Sequence, residues 1–248
     1  MNPVTANDRT RSLALAAATA GFTMIPTLVP LITGKGNGES SVDTAISPPP
    51  YAFGIWGPIF AGCVANTVQH SQPERVGLEI NRRSGWALAG AYTSNAIWAI
   101  LDQTGRNSAK AVALPVAVGF AATAYARLQR EAPTGADRIA PASTGMLLGW
   151  TSLAALIELS VRATAAGTAQ TSGKNVAETA AAVGLSAALS MGILRSNYGF
   201  IPLGAAATWG LGTTSLVRAR PTVARIGSAV GASLVAASTV IRARQRRI

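Results

Sequence analysis

The sequence predicts an all-α protein, a polytopic transmembrane helix bundle of about eight spans, and three observations predict it. Of 248 residues, 49% are hydrophobic and only 12% are charged; a soluble domain carries about twice that charged share. The apolar residues form runs long enough to cross a hydrocarbon layer of about 30 Å as helices. The charges gather between those runs, as expected where no water is present to solvate them.

The first run is Ser12 to Ile32, preceded by Arg9 and Arg11. It continues well past the length of a signal-peptide core, so it reads as an uncleaved span despite the small residues Ala16, Ala17 and Ala18. Pro26 and Pro30 are expected to kink its end. A polar loop follows from Gly34 to Pro49. Its Gly-Lys-Gly-Asn-Gly start lacks the closing Gly-Lys-Ser/Thr of a phosphate loop, and no strand precedes it. The next spans are Pro50 to Val68, Trp86 to Leu101, Ala109 to Tyr125, and Pro141 to Val161. The last three are Val176 to Leu194, Tyr198 to Val217, and Pro221 to Ile241. They are rich in Ala and Gly, which favours helices packed on one another over helices isolated in lipid.

The formal charge of +11 would point to nucleic acid in a soluble chain. Here the arginines sit at the ends of apolar runs, where they meet headgroups and set topology. No basic face is interleaved with aromatics as a stacking platform requires, so nucleic acid is excluded as a partner. With eight spans both termini share a side. That side collects thirteen Lys and Arg residues against eight on the other, which places both termini in the cytoplasm, in the cell membrane. The tail Arg242, Arg244, Arg246 and Arg247 is expected to anchor the last helix to anionic lipid.

Cys63 and His70 are each the sole residue of their type. An intrachain disulfide, a thiolate cluster and a histidine metal site are therefore excluded. No nucleophile elbow, zinc-binding histidine pair or triad is present, so no catalytic residue is assigned.

Three segments carry chemistry. In the second span, Phe53, Trp56 and Phe60 are spaced three and four apart, on one helix face, after the helix-starting Pro49 and Pro50. Such a face either stacks a flat apolar ligand or simply packs. In the third span, Tyr92, Asn95, Trp98 and Asp102 follow one face. Asn95 either faces a cavity or bonds a neighbouring helix; Asp102 has Arg106 one turn on. In the fifth span, Gly145 and Gly149 allow close helix contact, and Trp150, Ala154 and Glu158 form a stripe. An acid within a span is a functional candidate, although Arg162 four residues later offers a salt bridge. Gly227 and Gly231 in the last span mark helix packing.

Together these segments resemble the TspO/translocator protein family, also called tryptophan-rich sensory proteins. The second span is similar to that family's Pro-Pro-x-aromatic-x-Phe…Trp…aromatic signature, as Pro48, Pro49, Tyr51, Phe53, Trp56 and Phe60. The third is similar to its Asn-x-x-Trp, as Asn95 and Trp98, and the fifth to its Trp…Ala…Asn stretch, as Trp150, Ala154 and Glu158. Tyr51 stands where the family usually has Trp, the Phe53–Trp56 spacing is one residue shorter, and Glu158 stands where Asn is typical. The family's cholesterol-recognition pattern requires a Tyr near the end of the fifth span, and this chain has none there.

The resemblance covers roughly residues Ser12 to Arg162. It implies a five-helix membrane core over residues 1–165 and a three-helix extension with a basic tail over 166–248. It also implies a pocket for flat apolar molecules such as porphyrins, bound as ligand and not as cofactor. The candidate pocket residues it implies are Tyr51, Phe53, Trp56, Phe60, Asn95, Trp98, Trp150 and Ala154, with Glu158 beside them. The expected function is binding of such a ligand as a sensor or carrier. Two alternatives compete: a proton- or ion-coupled transporter using Glu158 with Asp102, and a structural partner in a membrane complex built on the small-residue faces. The expected partners are the lipid bilayer, a hydrophobic small molecule and a second copy of the chain.

Overall fold

The computed structural model describes residues 3–34, 44–104, 107–130, 132–165 and 171–246. Among them every regular element is helical. The long helices are α1 (Ala6–Thr33), α2 (Trp56–Ser71), α3 (Glu79–Gln103) and α4 (Asn107–Leu128), then α5 (Ile139–Ala165), α6 (Ser172–Arg195), α7 (Phe200–Ser215) and α8 (Thr222–Gln245). Short 3₁₀ turns at Pro50–Ile55 and Gly135–Arg138 lead into α2 and α5. The expected eight helices are therefore present, and six of them are long and apolar enough to cross a membrane. α3 and α7 are the exceptions. α3 opens on Glu79, Arg82 and Arg83 and buries Asn81, Ser84, Ser94 and Asn95. α7 has 16 residues, about 24 Å of helix.

Helix ends extend beyond the apolar runs where polar residues find partners. α3 starts at Glu79, seven residues before Trp86, because Arg82 grips Asp8 of α1 with Nε and Nη2 at 3.0 and 2.8 Å and Arg83 pairs with Glu79 one turn back. α6 starts at Ser172, where the Thr171 side chain caps it by accepting from the Lys174 N–H. α8 runs to Gln245, so Arg242 and Arg244 lie in its last turn, the end that favours cations. α1 continues through Pro26 and Pro30 to Thr33. Lys35, Arg106, Arg247 and most of the Gly34–Pro49 loop lie outside the described residues.

The chain divides into two compact units. The first comprises residues 1–39 and 57–144, the second residues 40–56 and 145–248. In the first unit α3 packs along both α1 and α4. α2 joins α1 through a Thr19–Thr67 hydroxyl pair at 2.7 Å and a Ser12–Ser71 pair at 3.1 Å. In the second unit α8 packs along both α6 and α7.

Close packing in the second unit depends on glycine. A Cβ on Gly149 of α5 would collide with the backbone carbonyl of Leu203 on α7. Gly227 and Gly231 of α8 receive Thr179 and Ser186 of α6 in the same way, and Gly204 of α7 receives Thr239 of α8. The expected packing role of Gly149, Gly227 and Gly231 thus has named partners. In lipid, apolar side chains gain nothing by leaving one apolar medium for another, so backbone approach of this kind supplies much of the association.

Arg11 differs from its expected place at the headgroups. It is 3% exposed, bonds Asp8 Oδ1 at 2.7 Å and donates to the Val76 carbonyl at 2.5 Å. Gly85 of α3 makes room for its side chain. The physical reason is that Asp8, one turn before it on α1, offers a carboxylate that water would otherwise have to solvate.

Candidate functional site

Helix α2 turns a polar stripe inward. Its buried residues are Ile59, Cys63, Asn66, Thr67 and His70, spaced at three and four as one helix face requires. Beside this stripe three rings meet. Phe22 of α1 stacks on Tyr92 of α3 at 5.5 Å and 17° between planes, and Phe60 of α2 meets Phe22 edge-on at 5.0 Å and 86°. Both are favourable aromatic geometries. Tyr92 is fully buried and Phe22 nearly so.

Several buried polar atoms on α2 and α3 of this unit are without partners. Both side-chain atoms of Asn66, the Tyr92 hydroxyl, Asn95 Oδ1, Trp98 Nε1 and His70 Nε2 are buried and make no hydrogen bond. Tyr92 lies beside Cys63 and Asn66, yet its hydroxyl has no well-aligned bond to either. The Asn95 amide donates to the Ala91 carbonyl of its own helix at 2.9 Å. No bond from it to a neighbouring helix is present among the described residues, so its oxygen stays available. Each buried polar atom left unpaired costs about 1–3 kcal/mol, and a bilayer core offers no water to relieve it. Six such atoms on α2 and α3 of one unit are costly as packing. They suit a flat apolar guest with polar groups on its edge, with rings for the face and amide, phenol and indole for the rim.

The remaining aromatic candidates lie in the second unit. The chain from Pro50 to Ile55 is a 3₁₀ turn, not the first turn of α2. Phe53 and Trp56 each meet Trp150 of α5 edge-on, at 5.5 and 6.1 Å. Tyr51 is 60% exposed and meets Trp209 of α7 edge-on at 6.3 Å, while Trp209 Nε1 donates to the Ala52 carbonyl at 2.9 Å. Trp150 Nε1 and Thr151 Oγ1 are buried without partners, and Ala154 is half-buried below them on α5. Tyr51, Phe53, Trp56, Trp150, Ala154 and Glu158 therefore belong to one compact unit, and Phe60, Asn95 and Trp98 to the other.

The acids separate by partner. Asp102 pairs with Lys110 of α4 at 2.7 Å, both side chains under one-tenth exposed; the Arg106 expected one turn on lies outside the described residues. Glu158 is buried in α5, whereas Arg162 is exposed. Glu178 of α6 is buried as well. It accepts from the Ala45 N–H at 2.9 Å and has Lys174 Nζ at 3.7 Å, so it holds the 44–47 segment onto α6.

Sequence reasoning singled out Phe60, Tyr92, Asn95 and Trp98 but missed Phe22, Cys63, Asn66 and His70. The last three carried a signal, since they continue the three-and-four spacing from Ile59. Glu178 carried the same signal as Glu158, an acid inside an apolar run. Phe22 carried none, because nothing local distinguishes one ring in an apolar run from a lipid-facing one.

These features define an α-helical integral membrane protein with aromatic and amide side chains turned inward. A match to the TSPO-like protein family spans residues 12–241, and the chain belongs to that family. The match takes in α6, α7 and most of α8 as well as the first five helices, so the likeness extends well past Arg162. No curated protein matches the chain, and no solved structure does.

Proposed function

We propose that this protein binds a flat, porphyrin-like apolar ligand in the membrane, as a sensor or carrier. The observation that supports this reading is the α1–α2–α3 cluster. Phe22, Phe60 and Tyr92 supply ring faces, and the unpartnered Asn66, Tyr92, Asn95 and Trp98 atoms supply a polar rim. Membership of the TSPO-like family supports it further. The cell membrane, with both termini cytoplasmic, is the location that the Lys and Arg distribution favours.

The test is porphyrin titration of the purified protein, followed by tryptophan fluorescence. Quenching should saturate, and Trp98→Ala should shift the midpoint to higher porphyrin concentration. A linear response without saturation, identical in Trp98→Ala, would remove the proposal.

A second reading, coupled transport, is favoured by the burial of Glu158 within α5. Uptake into vesicles should then require a pH gradient and collapse in Glu158→Gln. Undiminished flux in that variant eliminates it.

A further inference from the structure

We infer that the groove between α7 and α8 seats an acyl chain of one anionic glycerophospholipid, whose phosphate is held by arginines at the C-terminal end of α8. The groove has a volume of 560 Å³, within the range of about 300–1,000 Å³ typical of small-molecule sites. Ile201, Gly204, Thr208 and Gly212 of α7 form one wall and Ala236 and Val240 of α8 the other. Gly204, Thr208 and Gly212 recur every four residues, so the floor is a shallow channel parallel to α7. The lining runs from Ile201 to Leu216, roughly 22 Å of helix. That exceeds the depth of one leaflet, about 15 Å.

Charge selects the occupant. The α8 stripe that lines the groove, Ala236 and Val240, continues four residues on to Arg244, which is exposed. The same end of this unit carries Arg242, Arg246 and Arg195. Arg242 donates to the Ser196 carbonyl at 2.7 Å and to Asn197 Oδ1 at 3.1 Å, tying α8 to the α6–α7 turn. Arg246 donates to the Asn197 carbonyl at 2.9 Å and stands over the Tyr198 ring at 5.1 Å. Arg195 is exposed at the last turn of α6. Among the described residues of this unit, none of these four forms an ion pair with a carboxylate. The acids among residues 145–248 are Glu158 and Glu178, and both lie toward the opposite end. Glu178 is in the second turn of α6. Glu158 is nine residues past Gly149, which faces Leu203 near the start of α7.

An apolar channel with a cationic mouth fits an acyl chain with an anionic head, and guanidinium groups hold phosphate oxygens in a two-pronged geometry. A second copy of the chain fits less well. The bilayer would hold it in the same orientation, and its own arginines would arrive at the same end.

The experiment is native mass spectrometry of the detergent-purified full chain, titrated with phosphatidylglycerol and, separately, with phosphatidylcholine. One phosphatidylglycerol should remain bound with a preference of about tenfold over phosphatidylcholine. Arg244→Gln should erase most of that preference. Gly212→Leu should weaken both lipids, because a Cβ at Gly212 meets nothing within 4 Å and its side chain would enter the groove. Thr208→Leu fills the channel one turn away and should act alike, which guards against misfolding of either variant; unfolding temperatures identify a folded one. Equal retention of the two lipids would overturn the inference. So would full competition by inorganic phosphate, lipid binding unchanged in both groove-filling variants, or a stoichiometric dimer that excludes lipid.

Discussion

The two compact units share a plan and differ in what fills it. In the first, α3 lies between α1 and α4; in the second, α8 lies between α6 and α7. Close contacts of the second unit are made by glycines that receive a carbonyl, a threonine, a serine or a leucine: Gly149, Gly204, Gly227, Gly231 and Gly210. The first unit instead spends its interior on charge and on amides. Asp8 holds Arg11 and Arg82, Asp102 holds Lys110, and the Asn66 amide, the Tyr92 hydroxyl, Asn95 Oδ1 and Trp98 Nε1 are buried without partners. Two of its glycines meet side chains that can move, Gly85 against Arg11 and Gly90 against Phe120. The lesson is that glycine lets helix backbones of the second unit approach and leaves a groove beside the α7–α8 seam, whereas the first unit is joined through ion pairs, rings and amides.

That contrast can be broken most sharply at Asp8. Asp8→Ala leaves Arg11 buried and unpaired, so it should cost about 3–5 kcal/mol, read as a fall in unfolding temperature in detergent. Replacing Asp8 and Arg11 together by Leu and Met should recover much of the loss. If the single variant is as stable as the parent, the first unit is not held by charge.

Gly149→Ala comes next. Its methyl group meets the Leu203 backbone carbonyl, which cannot swing aside, and should cost about 1–3 kcal/mol. Gly90→Ala, against the movable Phe120 ring, should cost less. Chemical unfolding of the two variants side by side decides this; the reverse order would contradict the contrast in packing.

Asn66→Leu should weaken porphyrin binding about tenfold, equivalent to about 1.4 kcal/mol, while leaving the fold as stable as before or more so, because an unpaired buried amide is removed. Loss of stability together with loss of binding would mean that Asn66 serves packing. Glu178→Gln should cost about 1 kcal/mol and speed hydrogen exchange at the Ala45 amide, which bonds the carboxylate. The smallest effect belongs to Gly119→Ala, where a Cβ meets nothing within 4 Å. Its unfolding free energy should rise by no more than about 1 kcal/mol, the helix preference of Ala over Gly.

Much of the fold was legible. Helix positions were readable because length and apolarity are local properties of a run: all eight expected spans correspond to helices, six of them long and apolar enough to cross a membrane. The start of α3 was not, since it depends on Asp8, more than seventy residues away. The 3₁₀ turn at Pro50–Ile55 was also hidden. Pro49 and Pro50 suit either kind of helix start, and contacts to Trp150 and Trp209 accompany the choice. For the candidate site, periodicity put Tyr92, Asn95 and Trp98 on one face but could not say that Phe22 would cover it. The ion pair of Lys110 with Asp102 was hidden too, because it forms across the turn between α3 and α4.

By itself the sequence determined that this protein is a helical membrane bundle of the TSPO-like kind, because hydropathy, length and short motifs act over a few turns. Only the tertiary structure decided which faces meet: Phe22 on Tyr92, Trp150 between Phe53 and Trp56, Asp8 between two arginines. The reason is that lipid does not rank one apolar helix face above another. Partner choice then falls to shape, ion pairs and hydrogen bonds, which require residues far apart in the chain to be brought together.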